Sequence, residues 1–437
     1  MRIANAFITV ALLMTSVSPS TFGQKRDQAE VSLAERVFVA SKIYASIPIY
    51  FAHWQSVPNL ELDDAYKKYI AEAIAAPDRF AFDLASIEFV ATLHNAHSGF
   101  DDDWLDKNYG RVLGFYARPL DGRWVVTESA ISDLKVGDII ERLDGAPIEE
   151  FYRKKERWLS GSSDKEKHQT LFWRRYLFPE AFTLTLDGGR SVSIDRSHLV
   201  LKDFAEPPKP TLKSGIQYMK ISSFGDPKFE AAALDSLREH KGARVFIIDL
   251  RGNGGGSTPT ALIRALMDRP YRSWSEETPL TIGLLRSYQD LLKMPDLPKE
   301  VRDQLEAMSE VSYQSRLRWD STEEQPEEPT FTGKLFLLVD GACASACEDF
   351  VVPFKDNHRA TIVGENTEGT SGQPYIYAFG NGMSFRIGTK REFLPDGTAF
   401  EGIGIKPDVE VPLTLQDLRS GRDSVLLKAE ELAGGNS

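Results

Sequence analysis

Residues 340–350 read Asp340-Gly-Ala-Cys-Ala-Ser-Ala-Cys-Glu-Asp-Phe350. The apolar run from Lys334 to Val339 before them predicts a strand, and the Ala, Phe and Val residues that follow predict a helix. Ser345 would therefore stand where a strand runs into a helix, at a helix N-terminus whose unpaired N–H groups and dipole can hold an oxyanion. That position suits a nucleophile. Ser345-Ala-Cys-Glu348 also fits a capping box, in which the hydroxyl only satisfies a backbone amide.

The composition narrows the class of protein. The chain has 437 residues, a formal net charge of −12 and 42% hydrophobic residues, which is enough for about two to four domains with real cores. The negative charge argues against nucleic acid or anionic lipid as the main partner. The two cysteines, Cys343 and Cys347, flank Ser345. Two buried thiols packing the turn are favoured over a local bridge.

The N-terminus has the pattern of an export signal. Arg2 precedes an apolar run from Ile3 to Val17, and small residues follow as far as Gly23. This pattern predicts a secretory signal peptide over residues 1–23. The run is shorter than the about 20 residues that cross a bilayer. We expect a periplasmic or secreted protein without a membrane span.

Residues 24–105 are predicted to form a helical N-terminal domain, and residues 106–204 a small β-rich domain. Apolar residues recur at helical spacing over Val31–Ile49, Asp63–Ile74 and Phe80–Leu93. Four short strands are predicted in the second domain. They are Arg123–Thr127, Asp138–Leu143, Phe182–Leu186 and Ser191–Ile194.

The remainder, residues 205–430, is predicted to form an α/β core. Pro207, Pro208 and Pro210 mark a linker. Strands then alternate with helices, which indicates a largely parallel sheet. The predicted strands are Gly215–Ile221, Arg244–Asp249, Lys334–Val339 and Ala360–Gly364, with helices over Lys228–His240, after Pro259 and over Ala344–Lys355. Residues 270–330 read as a charged insertion that could act as a lid, with a helical stretch over Pro298–Met308.

A glycine-rich segment follows the second of these strands. It reads Arg251-Gly-Asn-Gly-Gly-Gly256, and so many glycines bring bare backbone close to a ligand or to another chain segment. Phosphate binding is disfavoured because the spacing is not G-x-G-x-x-G and no Gly-Lys-Ser/Thr follows. An oxyanion hole and a purely structural turn remain open.

Together, Asp249–Gly256 and Ser345–Glu348 resemble segments of the C-terminal-processing (tail-specific) serine peptidases and of the tricorn core peptidase. Lys135–Ile140 with Leu143–Ile148 resembles a PDZ signature, and Glu401–Asp408 resembles the segment that closes the family's core. The resemblance implies a helical N-terminal domain, a PDZ-like β-rich domain and a crotonase-like spiral α/β catalytic core. It implies hydrolysis without metal or other cofactor.

The general base implied by the resemblance is a histidine. The family's Ser–Lys branch has a lysine where this chain has Thr370, after Gly364–Gly369. Lys355 and Lys390 lie outside that segment and are interpreted as surface charges. Among seven histidines, His97 lies in Leu93–Phe100, which resembles the family's Asn/Asp-Gly-His-Ser/Thr segment. An imidazole with a pKa of about 6.5 suits proton transfer at neutral pH.

The same resemblance assigns the acid and the oxyanion hole. Glu401 would orient His97, although the tricorn-type site has a bridging serine where this chain has Ala96. Contact directly, through Ser98 or through water stays open. The oxyanion would meet the N–H groups of Ala346 and Gly255, because relatives have a proline, which lacks an N–H, at the position of Gly254.

The sequence therefore predicts an exported serine endopeptidase that acts on proteins or peptides. The PDZ-like domain would capture an extended segment or a C-terminus by strand addition, with Leu113-Gly114-Phe115 as the carboxylate-binding loop. The alternative is a secreted binding protein on the same fold without catalysis. A metal site is not predicted, since His94 and His97 with scattered acids make a weak zinc pattern.

Overall fold

The computed structural model describes residues 30–199, 210, 212–279, 291–292, 294, 297–299, 301–303, 305, 316–326, 331–370 and 372–434. The predicted signal peptide, Pro207 and Pro208 of the predicted linker, and most of the predicted insertion lie outside the described residues. None of the helices in the described part of the chain combines the length and the apolarity of a bilayer span.

Three helices open the described chain, as the periodicity predicted. They are α1 (Leu33–Tyr50), α2 (Leu62–Ala75) and α3 (Arg79–Ala91). Ser32 and Asp78 cap α1 and α3, each accepting a hydrogen bond from a backbone N–H three residues later. Apolar residues on the facing sides are buried in one core.

The segment after α3 ties this helical region to the C-terminal part of the chain. Strand β1 (Gly99–Asp102) leads into α4 (Asp103–Tyr109) and pairs antiparallel with a strand at Met383–Gly388, which pairs in turn with Pro374–Ala378. A buried ion pair between Arg79 and Asp102, 2.7 Å from Nε to Oδ2, fixes the start of α3 to β1. The loop between α3 and β1 is thus held at both ends.

Residues 115–195 form the predicted β-rich module. Its elements are β2 (Phe115–Leu120), β3 (Arg123–Ser129), β4 (Ile139–Leu143), β5 (Ala146–Pro147), α5 (Ile148–Lys155), α6 (Asp164–Trp173), β6 (Ala181–Leu186) and β7 (Ser191–Asp195). The antiparallel order is β2-β3-β4-β6-β7, with β5 on β4, so β2 is an edge strand. Asp121 and Gly122 both have positive φ in the β2–β3 turn, which such two-residue hairpins require. Helices α5 and α6 were not predicted.

The α/β core is built on a five-stranded parallel sheet, as the alternation of elements predicted. Its elements are β8 (Ile216–Lys220), α7 (Pro227–Glu239), β9 (Val245–Asp249), α8 (Thr260–Leu266), β14 (Lys334–Val339), α9 (Ala346–Asp356), β15 (Thr361–Gly364) and β19 (Val409–Glu410). The strand order is β8-β9-β14-β15-β19. Every residue of β9 is buried, as expected for a strand covered on both faces.

Small sheets and two terminal helices complete the described chain. The remaining elements are β10 (Tyr271–Arg272), β11 (Ser275–Pro279), β12 (Arg316–Trp319), β13 (Glu323–Glu324), β16 (Pro374–Ala378), β17 (Met383–Gly388), β18 (Arg391–Phe393), α10 (Leu415–Ser420) and α11 (Ser424–Gly434). Strands β10 and β13 form one pair, and β12-β11-β18 form another sheet. The described ends of the predicted insertion therefore belong to ordered sheets.

Candidate active site

Ser345 and His97 meet although 248 residues separate them in the sequence. Ser345 immediately precedes α9, and His97 lies in the loop between α3 and β1. The distance from His97 Nε2 to Ser345 Oγ is 3.2 Å, which is within reach for proton transfer from a hydroxyl to an imidazole. The sequence predicted both residues.

The backbone at Ser345 is strained. Its φ of 54° and ψ of −123° lie in a region that costs a residue with a side chain about 1–3 kcal/mol and that is found at functional sites. A capping-box arrangement with Glu348 is present, so the two sequence interpretations are not exclusive. The hydroxyl at the helix start also faces the imidazole.

Hydrogen bonds hold this strained turn from the side of residues 367–370. The Ser345 N–H donates to Thr370 Oγ1 at 3.2 Å and to Glu348 Oε2 at 3.3 Å. The fully buried Glu348 carboxylate also accepts from the hydroxyl of Thr367 and the N–H groups of Gly369 and Thr370. Burial raises the pKa of Glu348 to about 8, although these hydrogen bonds oppose the shift.

The prediction of two free thiols is wrong. Cys343 and Cys347 form a disulfide with their Cα atoms 5.4 Å apart, inside the range that a bridge requires. Cys343 lies in the turn before α9, and Cys347 lies in the first turn of this helix. Both cysteines are fully buried. The bridge closes the turn that carries the nucleophile candidate.

The charge of Glu401 acts on His97, but Glu401 accepts no hydrogen bond from His97 Nδ1. Its Oε1 accepts from Ser162 Oγ at 2.6 Å and from Asn95 Nδ2 at 3.1 Å. Ser98 donates instead to Asn95 Oδ1, so the bridge through Ser98 is not formed. His97 Nδ1 is buried and has no hydrogen-bond partner within the described ranges.

The imidazole of His97 is held in its neutral form. Burial lowers the pKa of His97 to about 4, and the charge of Glu401 opposes this shift. A neutral imidazole at neutral pH is the form that accepts a proton. Glu401 would stabilise the imidazolium after transfer, by charge rather than through a direct hydrogen bond.

Neither lysine considered in the sequence reaches Ser345. Lys355 pairs with Asp408, whereas Lys390 lies 2.5 Å from Glu276 Oε1 and 2.8 Å from Glu392 Oε1. The interpretation of Lys390 as a surface charge is wrong, since 17% of its side chain is exposed. Burial lowers the pKa of Lys390, but the two carboxylates outweigh it and raise the pKa above the ordinary value. An ammonium held charged in this way is a poor base.

The two predicted oxyanion donors lie beside Ser345. Ala346 is the first residue of α9, where N–H groups have no acceptor within the helix. Gly255 has φ of +87°, and a Cβ there would approach Ala344 O to 2.5 Å and Ser345 Cβ to 2.9 Å. Only glycine fits. Its N–H donates to Asn253 Oδ1 at 2.9 Å, a bond that an oxyanion would have to replace.

The predicted carboxylate-binding loop leads into the edge strand β2, whose first residue is Phe115. The side chains of Leu113 and Phe115 are buried in the core, and Gly114 O accepts from Ala130 N. A bound peptide would therefore meet the backbone of this loop and not those two side chains.

Three residues beside Glu401 were missed as site residues. Asn95 stands in the quoted histidine segment, but nothing in the sequence marks its amide as a partner of Glu401. Ser162 belongs to the β-rich module. His53, fully buried, has Nδ1 3.8 Å from Glu401 Oε1. Burial lowers the pKa of His53. Neither His53 nor Ser162 lies in a recognisable motif, so only the fold could reveal them.

Comparison with known proteins agrees with this geometry. Residues 215–411 match the model of peptidase family S41, and this span contains Ser345, Glu401 and the glycine-rich segment. Over this span the chain is similar to peptidase family S41. The resemblance inferred from the motifs inside this span is thereby confirmed, whereas the PDZ-like segments lie outside it. His97 lies outside the matched residues.

Two curated relatives of this chain are carboxyl-terminal-processing proteases. A carboxy-terminal-processing protease of Bartonella bacilliformis is 34% identical over 115 residues, 26% of this chain and 24% of that protein. A carboxyl-terminal-processing protease of Synechocystis sp. is 27% identical over 202 residues, 45% of this chain and 39% of that protein. The chain thus spans about a quarter to two fifths of the length of these two relatives.

Similarity to solved structures extends over nearly the whole chain. The crystal structure of mature CPAF has a TM-score of 0.70 and 16% identity, and covers 92% of this chain and 97% of its own. Mature CPAF complexed with lactacystin has a TM-score of 0.69 at the same identity, covering 92% and 98%. At 16% identity this likeness shows the fold alone. The shared fold includes the N-terminal region as well as the α/β core, because 92% of this chain is covered.

Proposed function

We propose that this chain is a serine endopeptidase that hydrolyses proteins or peptides through an acyl-enzyme. The observation that carries the proposal is the 3.2 Å approach of His97 Nε2 to Ser345 Oγ at the start of a helix. The similarity of the core to a peptidase family supports it. The coverage of the relatives is partial, so the activity is inferred from the site.

In the first half-reaction, Ser345 Oγ attacks the peptide carbonyl and its proton passes to His97 Nε2. The imidazolium then gives this proton to the leaving amine, which leaves an ester on Ser345. Water repeats the sequence and releases the second product. Glu401 favours the imidazolium by its negative charge, which already raises the pKa of His97 against burial.

The oxyanion would form against the N–H groups of Ala346 and Gly255. Removing one such donor typically costs two to three orders of magnitude in kcat. Because the Gly255 N–H donates to Asn253 Oδ1, we infer that substrate binding exchanges this bond for one to the carbonyl oxygen.

The β-rich module would bind substrate away from the reacting bond. Among the strands that the structure describes, β2 stands at the edge of its sheet and has a partner on one side only, which is the arrangement that strand addition needs. The module's PDZ-like character and its carboxylate-binding loop at 113–115 are part of this proposal.

The proposed location is the periplasm or the exterior. The pattern over residues 1–23 supports export. The buried bridge between Cys343 and Cys347 also supports it, because disulfides persist in oxidising compartments.

Hydrolysis by wild type and by Ser345→Ala tests the proposal. Wild type should cleave an unstructured protein, and Ser345→Ala should not, while its stability changes by no more than a lost cap, about 1 kcal/mol. Cleavage retained in Ser345→Ala would refute the nucleophile. A wild type that binds peptides but cleaves none would favour the alternative, a binding protein on the same fold.

A further inference from the structure

A serine from the β-rich module touches the acid of the site. Ser162 Oγ donates to Glu401 Oε1 at 2.6 Å and accepts from the Ala96 N–H at 3.1 Å. Ser162 thus lies between the carboxylate of Glu401 and the backbone of Ala96, the residue before His97.

We propose that Ser162 is a positioning residue that fixes Glu401 relative to His97, so that the β-rich module completes the catalytic site. The proposal rests on the proposed function and adds a residue to it. It gives this module a role in addition to the substrate capture that the sequence predicted.

The contacts around Ser162 leave it little freedom. Its N–H donates to Oε2 of the buried Glu166 at 2.6 Å. Its carbonyl oxygen lies against Gly402, where a Cβ would approach it to 2.8 Å. The serine is therefore packed directly on the turn that carries Glu401.

Two donors act on the same carboxylate oxygen. Asn95 Nδ2 lies 3.1 Å from Glu401 Oε1, and Asn95 precedes Ala96, whose N–H Ser162 accepts. Both donors therefore join Glu401 to the loop that carries His97. His97 Nδ1 has no hydrogen-bond partner in the part of the chain that the structure describes, so Ser162 and Asn95, and not a hydrogen bond from His97, hold Glu401 to this loop.

The loss of the hydroxyl should release Glu401 from this position. Ser162→Ala should lower kcat between about tenfold and a hundredfold with KM nearly unchanged. The reason is that the Glu401 carboxylate, whose charge stabilises the imidazolium of His97, is no longer held near this ring. Ser162→Thr keeps the hydroxyl and should recover most of the rate. In Glu401→Gln, adding Ser162→Ala should cause little further loss, since the two residues act as a unit.

Ser163→Ala is the matched control. Ser163 Oγ caps α6 by accepting from the Glu166 N–H at 3.3 Å, so this variant disturbs the same helix start without touching Glu401. Equal losses in Ser163→Ala and Ser162→Ala would assign the effect to the helix and overturn the proposal. Wild-type kcat in Ser162→Ala would overturn it as well.

An NMR titration of the His97 imidazole gives a readout that does not need catalysis. If Ser162 positions Glu401, loss of its hydroxyl lets the Glu401 carboxylate move away from His97. Because the charge of this carboxylate raises the pKa of His97, the pKa of His97 in Ser162→Ala should fall below that of wild type. An unchanged or raised pKa would contradict the proposal even in a chain that cleaves nothing. Failure of the peptidase activity and failure of the positioning role are thus distinguished.

Discussion

Thr370 Oγ1 accepts a hydrogen bond from the Ser345 N–H at 3.2 Å. By the resemblance of Gly364–Gly369 to a segment of the Ser–Lys branch, Thr370 stands where that branch has its lysine. In this chain Thr370 supports the backbone of the strained turn at Ser345, while His97 Nε2 approaches the Ser345 hydroxyl from the loop between α3 and β1. The missing lysine is therefore consistent with a Ser–His site.

Thr370→Val should reduce kcat about tenfold with little change in KM, because Ser345 N–H loses one of its acceptors and the turn shifts. Thr370→Ser, which keeps the hydroxyl, is the control and should remain close to wild type. Steady-state kinetics of the three proteins are the measurement. Equal rates in Thr370→Val and wild type would show that the Glu348 carboxylate holds the turn alone.

The pH profile should identify the base. Burial lowers the pKa of His97 to about 4, and only the neutral imidazole accepts the serine proton, so kcat/KM should rise as pH increases through about 4. His97→Ala should lose at least two orders of magnitude, and Lys355→Ala should lose none. A rate that increases only near the pKa of a lysine would contradict the assignment.

The sequence predicted the elements better than the contacts between them. Strand β14 was predicted at its observed bounds, Lys334–Val339, because its apolar run is a local signal. The free thiols and the surface position of Lys390 were wrong. Both depend on tertiary placement, of Cys343 in a turn and of Lys390 beside paired strands β11 and β18.

The residues of the candidate site also fall into those that a sequence motif predicts and those that only the fold reveals. Ser345, His97 and Glu401 stand in motifs and were predicted, and the first two are brought together. The departure at Ala96 was visible, but nothing in the sequence shows that Ser162, 239 residues from Glu401, would stand beside it. His53 is missed because a buried histidine carries no local pattern.

The disulfide should matter more for rate than for stability. It closes a very short loop, so its entropic contribution is small, but it brackets the strained Ser345. Replacing both Cys343 and Cys347 by alanine should lower kcat about tenfold or more while the melting temperature falls little. Kinetics and thermal unfolding of this variant are compared with wild type. A large loss of stability with unchanged kcat would contradict this role.

Charge placed near the predicted carboxylate-binding loop should act on long substrates only. Val112 is 45% exposed beside this loop, and Val112→Asp should repel a substrate carboxylate, raising KM for long peptides and leaving a short ester unaffected. Val136→Asp adds the same charge at another exposed site of the module and is the control. Equal effects of both variants, or an equal loss on the ester, would reject the loop as a carboxylate site.

The most direct test of the central claim is covalent labelling of Ser345 by a fluorophosphonate, followed by mass spectrometry of the labelled peptide. The serine oxygen attacks phosphorus and fluoride leaves, which requires an activated hydroxyl but no knowledge of the natural substrate. We predict a single adduct on Ser345 in wild type, none in Ser345→Ala, and labelling slowed at least about a hundredfold in His97→Ala. No adduct on Ser345 in folded wild type, or labelling at the same rate without His97, would contradict the proposed Ser–His site.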